Sequence, residues 1–250
     1  MAFNVKTPLR VFIGWDSREV LAYHVLCQSI IQHASGPVAI IPLVQSSLRE
    51  RGLYWRERSQ TESTEFSLTR FLVPYLSGYG DWSIFMDCDM LCQGDVYDLL
   101  KLAKADERAR SYGSVWCVQH DYTPKTARKM DGCVQTTYPR KNWSSVMVFR
   151  NKFCERLTPD YVNTASGLDL HRFAWAGIDP LNVRALPPEW NWLVGEYPPN
   201  PEAKLLHYTL GGPWFRDYQH CDHADRWFAM LDEAFPTLNL PKPEALHAAL

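Results

Sequence analysis

The apolar run Ile84-Phe85-Met86 delivers two carboxylates one residue apart, Asp87 and Asp89, with Cys88 between them and Met90-Leu91 following. In an extended backbone side chains alternate faces, so the two aspartates point one way and Cys88 the other. Two aligned carboxylates make half of a divalent-cation site. Hard oxygen ligands suit Mg²⁺ or Mn²⁺, and a coordination sphere left partly open accepts the oxygens of a substrate diphosphate. A bare Asp-x-Asp pair arises about once by chance in a chain of this composition, so its surroundings decide its meaning. A third ligand is offered by His207, in the run Lys204-Leu205-Leu206-His207-Tyr208-Thr209-Leu210-Gly211-Gly212-Pro213-Trp214. Imidazole ligates Mn²⁺, and the adjacent Gly211 and Gly212 let backbone amides approach an anion such as phosphate.

These residues need a scaffold, and the sequence supplies an alternation of strands and helices. Val11-Phe12-Ile13-Gly14 reads as a buried strand. Asp16 with Glu19 three residues on reads as a capping box, and Val20, Tyr23, Cys27 and Ile30 recur at helical spacing until Gly36-Pro37 stops the helix. A strand over Val38 to Val44 follows, then a polar surface loop from Ser46 to Glu65. Phe66 to Leu76 reads as a helix kinked or ended near Pro74, and Trp82 to Met86 as the strand that carries the aspartates. Beyond Gly94 come a helix from Asp95 to about Ala105 and strands at Val115 to Val118 and Ser145 to Phe149. The interval from Asp121 to Trp143, rich in Lys, Arg, Thr and Gly, reads as a loop over the mouth of a site. Pro180, Pro187-Pro188, Pro198-Pro199 and Pro201 forbid long helices in the last third. A helix at about His223 to Phe235 and a Pro-broken tail close the chain. This order is an α/β signature, and in open α/β sheets ligands bind beyond the carboxyl ends of the strands, where Asp16 and Asp87 fall.

With 250 residues, 46% hydrophobic and 22% charged, the chain is long enough to bury a sizeable core as a single domain, residues 1–250. The nucleotide-binding half is expected over about 1–110 and the acceptor half over about 111–250. A net charge of -2 argues against a nucleic-acid coat. No apolar run approaches the roughly 18 residues of a membrane span. The segment from Met1 to Arg10 lacks signal-peptide order, and a cytoplasmic location is expected. The seven Cys are scattered without a Cys-x-x-Cys pair, which suggests neither a disulfide framework nor a zinc site. His120 and His171 read as structural or surface histidines, and Pro187-Pro188-Glu189-Trp190-Asn191-Trp192 as a packed loop or a wall of an acceptor site.

Asp-x-Asp after an apolar strand, Leu68-Thr69-Arg70 upstream, and the late His-x-x-x-Gly-Gly-Pro-Trp run together resemble a GT-A glycosyltransferase, nearest to the glycosyltransferase family 8 group of bacterial lipopolysaccharide galactosyltransferases and glycogenins. The resemblance spans nearly the whole chain. It implies an α/β fold of the GT-A, Rossmann-like nucleotide-diphospho-sugar transferase type, a UDP-linked donor, Mn²⁺ or Mg²⁺ bridging the diphosphate, a glycan, glycolipid or other hydroxyl acceptor, and retention of configuration. Asp87, Asp89 and His207 would be metal ligands, and Gly211 and Gly212 would lie by the donor. Asp16 would lie by the nucleoside and Arg70 by the diphosphate or sugar. Asp121 matches an acidic position near donor sugar and acceptor, and Asp169 a carboxylate of the sugar pocket; these two are the expected catalytic residues.

The chain departs from that pattern in three places. The late run is one residue shorter and lacks a Lys before Pro213, which leaves Arg70, Lys204 or Arg216 to neutralise a diphosphate. Leu168 stands where a Gln is usual. Trp143-Ser144-Ser145 replaces Asn-Ala-Gly, leaving Asn142 or Ser144 as sugar contacts. Two other readings compete: a sugar nucleotidyltransferase, which the missing Gly-rich, Arg-containing loop disfavours, and a non-catalytic nucleotide- or carbohydrate-binding protein, which the intact triad disfavours. The tail after Leu240 has one Lys and one Glu, so at most peripheral membrane contact is expected.

Overall fold

The computed structural model describes residues 7–59, 62–106, 113–125 and 140–236. Most of the Asp121 to Trp143 loop and the whole tail after Leu240 lie outside the described residues. In chain order the elements are β1 (Leu9–Gly14), α1 (Val20–His33), β2 (Val38–Leu43), α2 (Gln45–Glu50), α3 (Val73–Leu76), β3 (Trp82–Met86), β4 (Met90–Cys92), α4 (Val96–Ala105), β5 (Val115–Val118), β6 (Val146–Arg150), α5 (Pro159–Thr164), α6 (Gly167–His171), β7 (Val183–Leu186), β8 (Trp192–Leu193), β9 (Leu205–His207) and α7 (Ala224–Ala234).

Six strands form one mixed sheet in the order β2-β1-β3-β6-β5-β7. β1 runs parallel to β2 and β3, β6 lies antiparallel between β3 and β5, and β5 is parallel to β7. The central strands are largely apolar because both faces are covered, with Arg10 and Arg150 half-buried and Ser83 buried among them. β2 is an edge strand, and its exposed Pro42 sits where no further neighbour needs a donor. A second, three-stranded sheet has the order β4-β9-β8. Helix α1 joins the two: Ala22, Tyr23, Val25, Leu26, Ser29 and Ile30 recur at helical spacing on its buried face. Leu26 and Ile30 enter the core of the large sheet, while Val25 enters a second cluster with Leu91, Leu206 and Trp227.

Several expectations change. The Asp16 and Glu19 capping box does not form: Glu19 occupies the N-cap of α1 without a side-chain cap, because its carboxyl turns inward and accepts a hydrogen bond from Cys88 Sγ at 3.4 Å. The loop from Ser46 to Glu65 begins as α2, a single helical turn and a half that buries Leu48 alone. Phe66 to Leu76 is a 3₁₀ turn over Thr69–Leu72 followed by α3 with Pro74 in its first turn, where a missing N–H costs nothing. The last third carries the expected irregular backbone, but β7, β8 and β9 run through it.

Candidate active site

The two aspartates occupy the crossing from one sheet to the other. Asp87 N donates to Ser145 O at 2.9 Å, extending the β3–β6 ladder of the large sheet, and Tyr208 N donates to Asp89 O at 2.9 Å, extending the β4–β9 ladder of the small one. That second bond places Asp89 beside His207, whose Nε2 lies 3.4 Å from Asp89 Oδ1. One ligand atom each from Asp87, Asp89 and His207 falls within 4.8 Å of the others. Two carboxylate oxygens and an imidazole nitrogen at that spacing fit a Mn²⁺ or Mg²⁺ ion with further positions open to a substrate. The ring is held from behind, since His207 Nδ1 lies 2.9 Å from Oδ1 of Asn191, which is wholly buried. The Asp-x-Asp run thus brings both carboxylates beside His207 across a bend, not along one straight strand.

The triad forms one end of a cavity of about 460 Å³. Arg70, 6% exposed, lies in its wall with Nη1 2.7 Å from Asp87 Oδ1 and 3.0 Å from Ser144 O. Its guanidinium also stacks over Phe66 and Phe85. Gly14 permits this, because a Cβ there would stand 2.3 Å from the Phe66 ring. Ser144 and His171 share the wall, with Ser144 Oγ 2.8 Å from His171 Nδ1. Burial, aided by the Arg70 charge, lowers the His171 pKa to about 3, so this imidazole is neutral. Asn142, Lys141, Thr209, Leu168, Arg56, Glu62 and Ser63 also line it. Arg56 is committed to structure: its Nη1 donates to Val162 O and Ala165 O, each at 2.9 Å.

Behind the triad lies a second layer of acid groups. Glu19 is fully buried, and burial together with the Asp89 and Asp16 charges raises its carboxyl to about 8. Burial also pushes the Cys88 thiol well up, with the neighbouring carboxylates adding to the effect. Asp16 behaves oppositely. Burial alone would raise it, but hydrogen bonds and charge from Arg18 hold it below the usual carboxylate range.

The structure draws some expected residues away from the cavity. Both Asp16 oxygens are engaged, by Arg18 at 2.9 and 3.0 Å and by Glu65 N at 3.1 Å, so Asp16 anchors the cavity's 63–65 wall instead of lining it. Asp169 is engaged in the cap of α6: the N-cap Ser166 donates from Oγ to its carboxylate at 2.7 Å and accepts from its amide at 3.0 Å. The cavity instead receives Leu168 and His171 from α6, three residues apart on one side of the turn. Asp121 is exposed and outside the lining. Among the described residues, Glu62 is the one lining carboxylate outside the triad. Gly211 and Gly212 are buried, and a Cβ on them would meet the Tyr218 ring at 2.8 Å and the Trp214 ring at 2.0 Å. The packing of these rings alone requires glycine at both positions. Lys204 packs over Trp190, and Arg216 is exposed on a 3₁₀ turn; neither lines the cavity. His171, read from sequence as structural or surface, lines the cavity, as does Lys141, which sequence reasoning did not single out, and Asn191, read as part of a packed loop or acceptor-site wall, stands behind His207.

No protein-family model matches the chain. Among solved structures it is similar to the bifunctional glycosyltransferase WbbM (TM-score 0.63, 16% identity), covering all of this chain and 52% of that one. It is also similar to the glycosyltransferase GlyE of Streptococcus pneumoniae TIGR4 (TM-score 0.58, 13% identity, 97% of this chain and 63% of that one). The galactosyltransferase LgtC, solved with donor and acceptor sugar analogs, matches at a TM-score of 0.55 and 12% identity over 97% of this chain and 100% of that one. The chain thus spans about half the length of WbbM and under two thirds of GlyE, but the full length of LgtC. These likenesses establish the α/β fold of the GT-A glycosyltransferases. Protein CDI of Arabidopsis thaliana is 47% identical over 238 residues, which cover 91% of this chain and 88% of that protein. On that identity and coverage, the chain belongs to the family of Arabidopsis thaliana protein CDI.

Proposed function

We propose that the protein is a metal-dependent glycosyltransferase that moves a sugar from a UDP-linked donor to a hydroxyl acceptor on a glycan or glycolipid, with retention of configuration. The observation that carries this reading is the convergence of Asp87, Asp89 and His207 at one end of a cavity large enough for a sugar, on the fold shared with LgtC and GlyE. When bound there, Mn²⁺ or Mg²⁺ neutralises charge on a diphosphate leaving group. The chain's own residues do the rest. Arg70 orients Asp87, while Ser144 and the neutral His171 present a hydrogen-bonding wall to sugar hydroxyls, and Leu168 supplies an apolar one. Lys141, Arg56 and Arg70 are the cationic residues of the lining, and they are the side chains from which a diphosphate would draw positive charge in place of the missing Lys.

A donor screen tests the reading. Nucleoside diphosphate release is measured from several nucleotide sugars with an acceptor panel, with Mn²⁺ and with chelator. UDP release that requires the cation is expected, and the anomeric configuration of the product is read by NMR. Absence of release, and of UDP binding, under every condition would overturn it. No helix among the described residues is long and apolar enough to cross a membrane. We place the enzyme in the cytoplasm, with at most peripheral membrane contact, a location that fractionation checks.

A further inference from the structure

Asn191 makes contacts that decide which nitrogen of His207 carries the proton. Its Nδ2 lies 3.2 Å from the main-chain oxygen of Asn142 and 2.9 Å from Ser145 Oγ. A carbonyl oxygen only accepts, so the amide nitrogen must face Asn142 and the amide oxygen must face the ring. Oδ1 lies 2.9 Å from His207 Nδ1. The ring nitrogen there is therefore the donor, and in the neutral imidazole Nε2 is left with its lone pair toward Asp89. Asn191 is wholly buried, so no bulk water competes for these contacts. The Asn142 carbonyl reaches inward because Asn142 is left-handed at φ 61°, a conformation that asparagine tolerates. Its own side chain is tied to Tyr122 Oη at 2.8 Å and Thr209 Oγ1 at 3.3 Å, which fixes the turn in place.

We propose that Asn191 is the positioning residue for His207, holding the proton on Nδ1 so that Nε2 faces the two aspartates as a ligand. Without it, the Asp89 carboxylate 3.4 Å from Nε2 is the nearest acceptor and draws the proton to the wrong side. A hydrogen-bonded partner on the far nitrogen is the general means by which ligating histidines are oriented. The role toward a metal rests on the reading of the triad proposed above; the tautomer does not.

The test uses the full chain labelled with ¹⁵N-histidine, in chelator, with His207 assigned by comparison with His207→Gln. Wild-type protein is expected to show a protonated Nδ1 and an unprotonated Nε2. Asn191→Leu is expected to move the proton to Nε2 and to weaken Mn²⁺ binding, read by electron paramagnetic resonance, by roughly 10- to 100-fold. Asn191→Asp, which keeps an acceptor for Nδ1–H, is expected to restore both. A wild-type spectrum with the proton on Nε2 overturns the proposal even if the variants fail to fold, as does wild-type Mn²⁺ affinity in Asn191→Leu. A wild-type chain with the Nδ1–H tautomer that binds no Mn²⁺ overturns the metal reading instead, a separate result.

Discussion

Arg70 holds the centre of the site in a way that an ammonium cannot copy, because Nη1 alone reaches Asp87 Oδ1 and Ser144 O while Nε donates to Phe66 O and the planar guanidinium lies over two phenyl rings. Arg70→Lys is therefore expected to lower donor kcat/KM by roughly tenfold or more despite its conserved charge, whereas Arg216→Ala stays near wild type. Steady-state kinetics on both variants would show the reverse order if Arg216 were the diphosphate partner. Glu19 gives a prediction of different kind. Its carboxyl is raised from 4.5 to about 8 in the folded chain, first by burial and then by Asp89 and Asp16. The folded state thus holds a proton that the unfolded state releases, so this stabilising term is complete below pH 4.5 and is lost as pH rises through 8. In chelator, Glu19→Gln should flatten the fall in Tm between pH 5 and 8 and melt above wild type at pH 8, by about 2–4 °C for each kcal/mol recovered. An unchanged slope in a pH series of melting curves would show that Glu19 is ionised throughout. The clustering of Asp87, Asp89 and His207 was legible from residue type and spacing, whereas Asp121 and Asp169 were matched by motif position alone. A cap on α6 claims Asp169, and no spacing rule reveals that.

At the scale of elements, what periodicity can express was legible. The apolar β1, β3 and β5, the amphipathic α1 and α7 and the Asp95-capped α4 all fall close to their expected bounds. The three-residue β4 and β9 carry no period to read, and they exist because they pair across more than a hundred residues. Asn191 was hidden for the same reason, its partner being sixteen residues further on. The glycine pair carries a requirement that no local rule shows: Gly211 is left-handed at φ 134°, and both glycines make room for rings. Gly212→Ala is accordingly expected to cost about 1–3 kcal/mol of stability through displacement of Trp214, as overpacking does. A normal Tm with a raised donor KM would instead return this segment to the phosphate.

For the whole molecule, a ligand that binds only the folded chain raises its melting temperature by mass action. UDP with Mn²⁺ at 100 times its dissociation constant should add about 2.7 kcal/mol, or roughly 5–10 °C for a chain of this size, and chelator should abolish the shift. A shift of equal size in chelator would show that nucleotide binds without a cation bridge. The placement of the two aspartates carries one more consequence. Asp87 is bonded to the large sheet and Asp89 to the small one, with Cys88 alone between them. The gap between the carboxylates is thus a measure of how the two sheets sit against each other across α1. Mg²⁺ demands oxygens at about 2.0–2.1 Å and Ca²⁺ accepts about 2.3–2.6 Å. Preference for an ion of one radius over another therefore belongs to the assembly of the sheets, and shaving Val25 or Leu26, which touch no ligand, would retune it from the far side of the core.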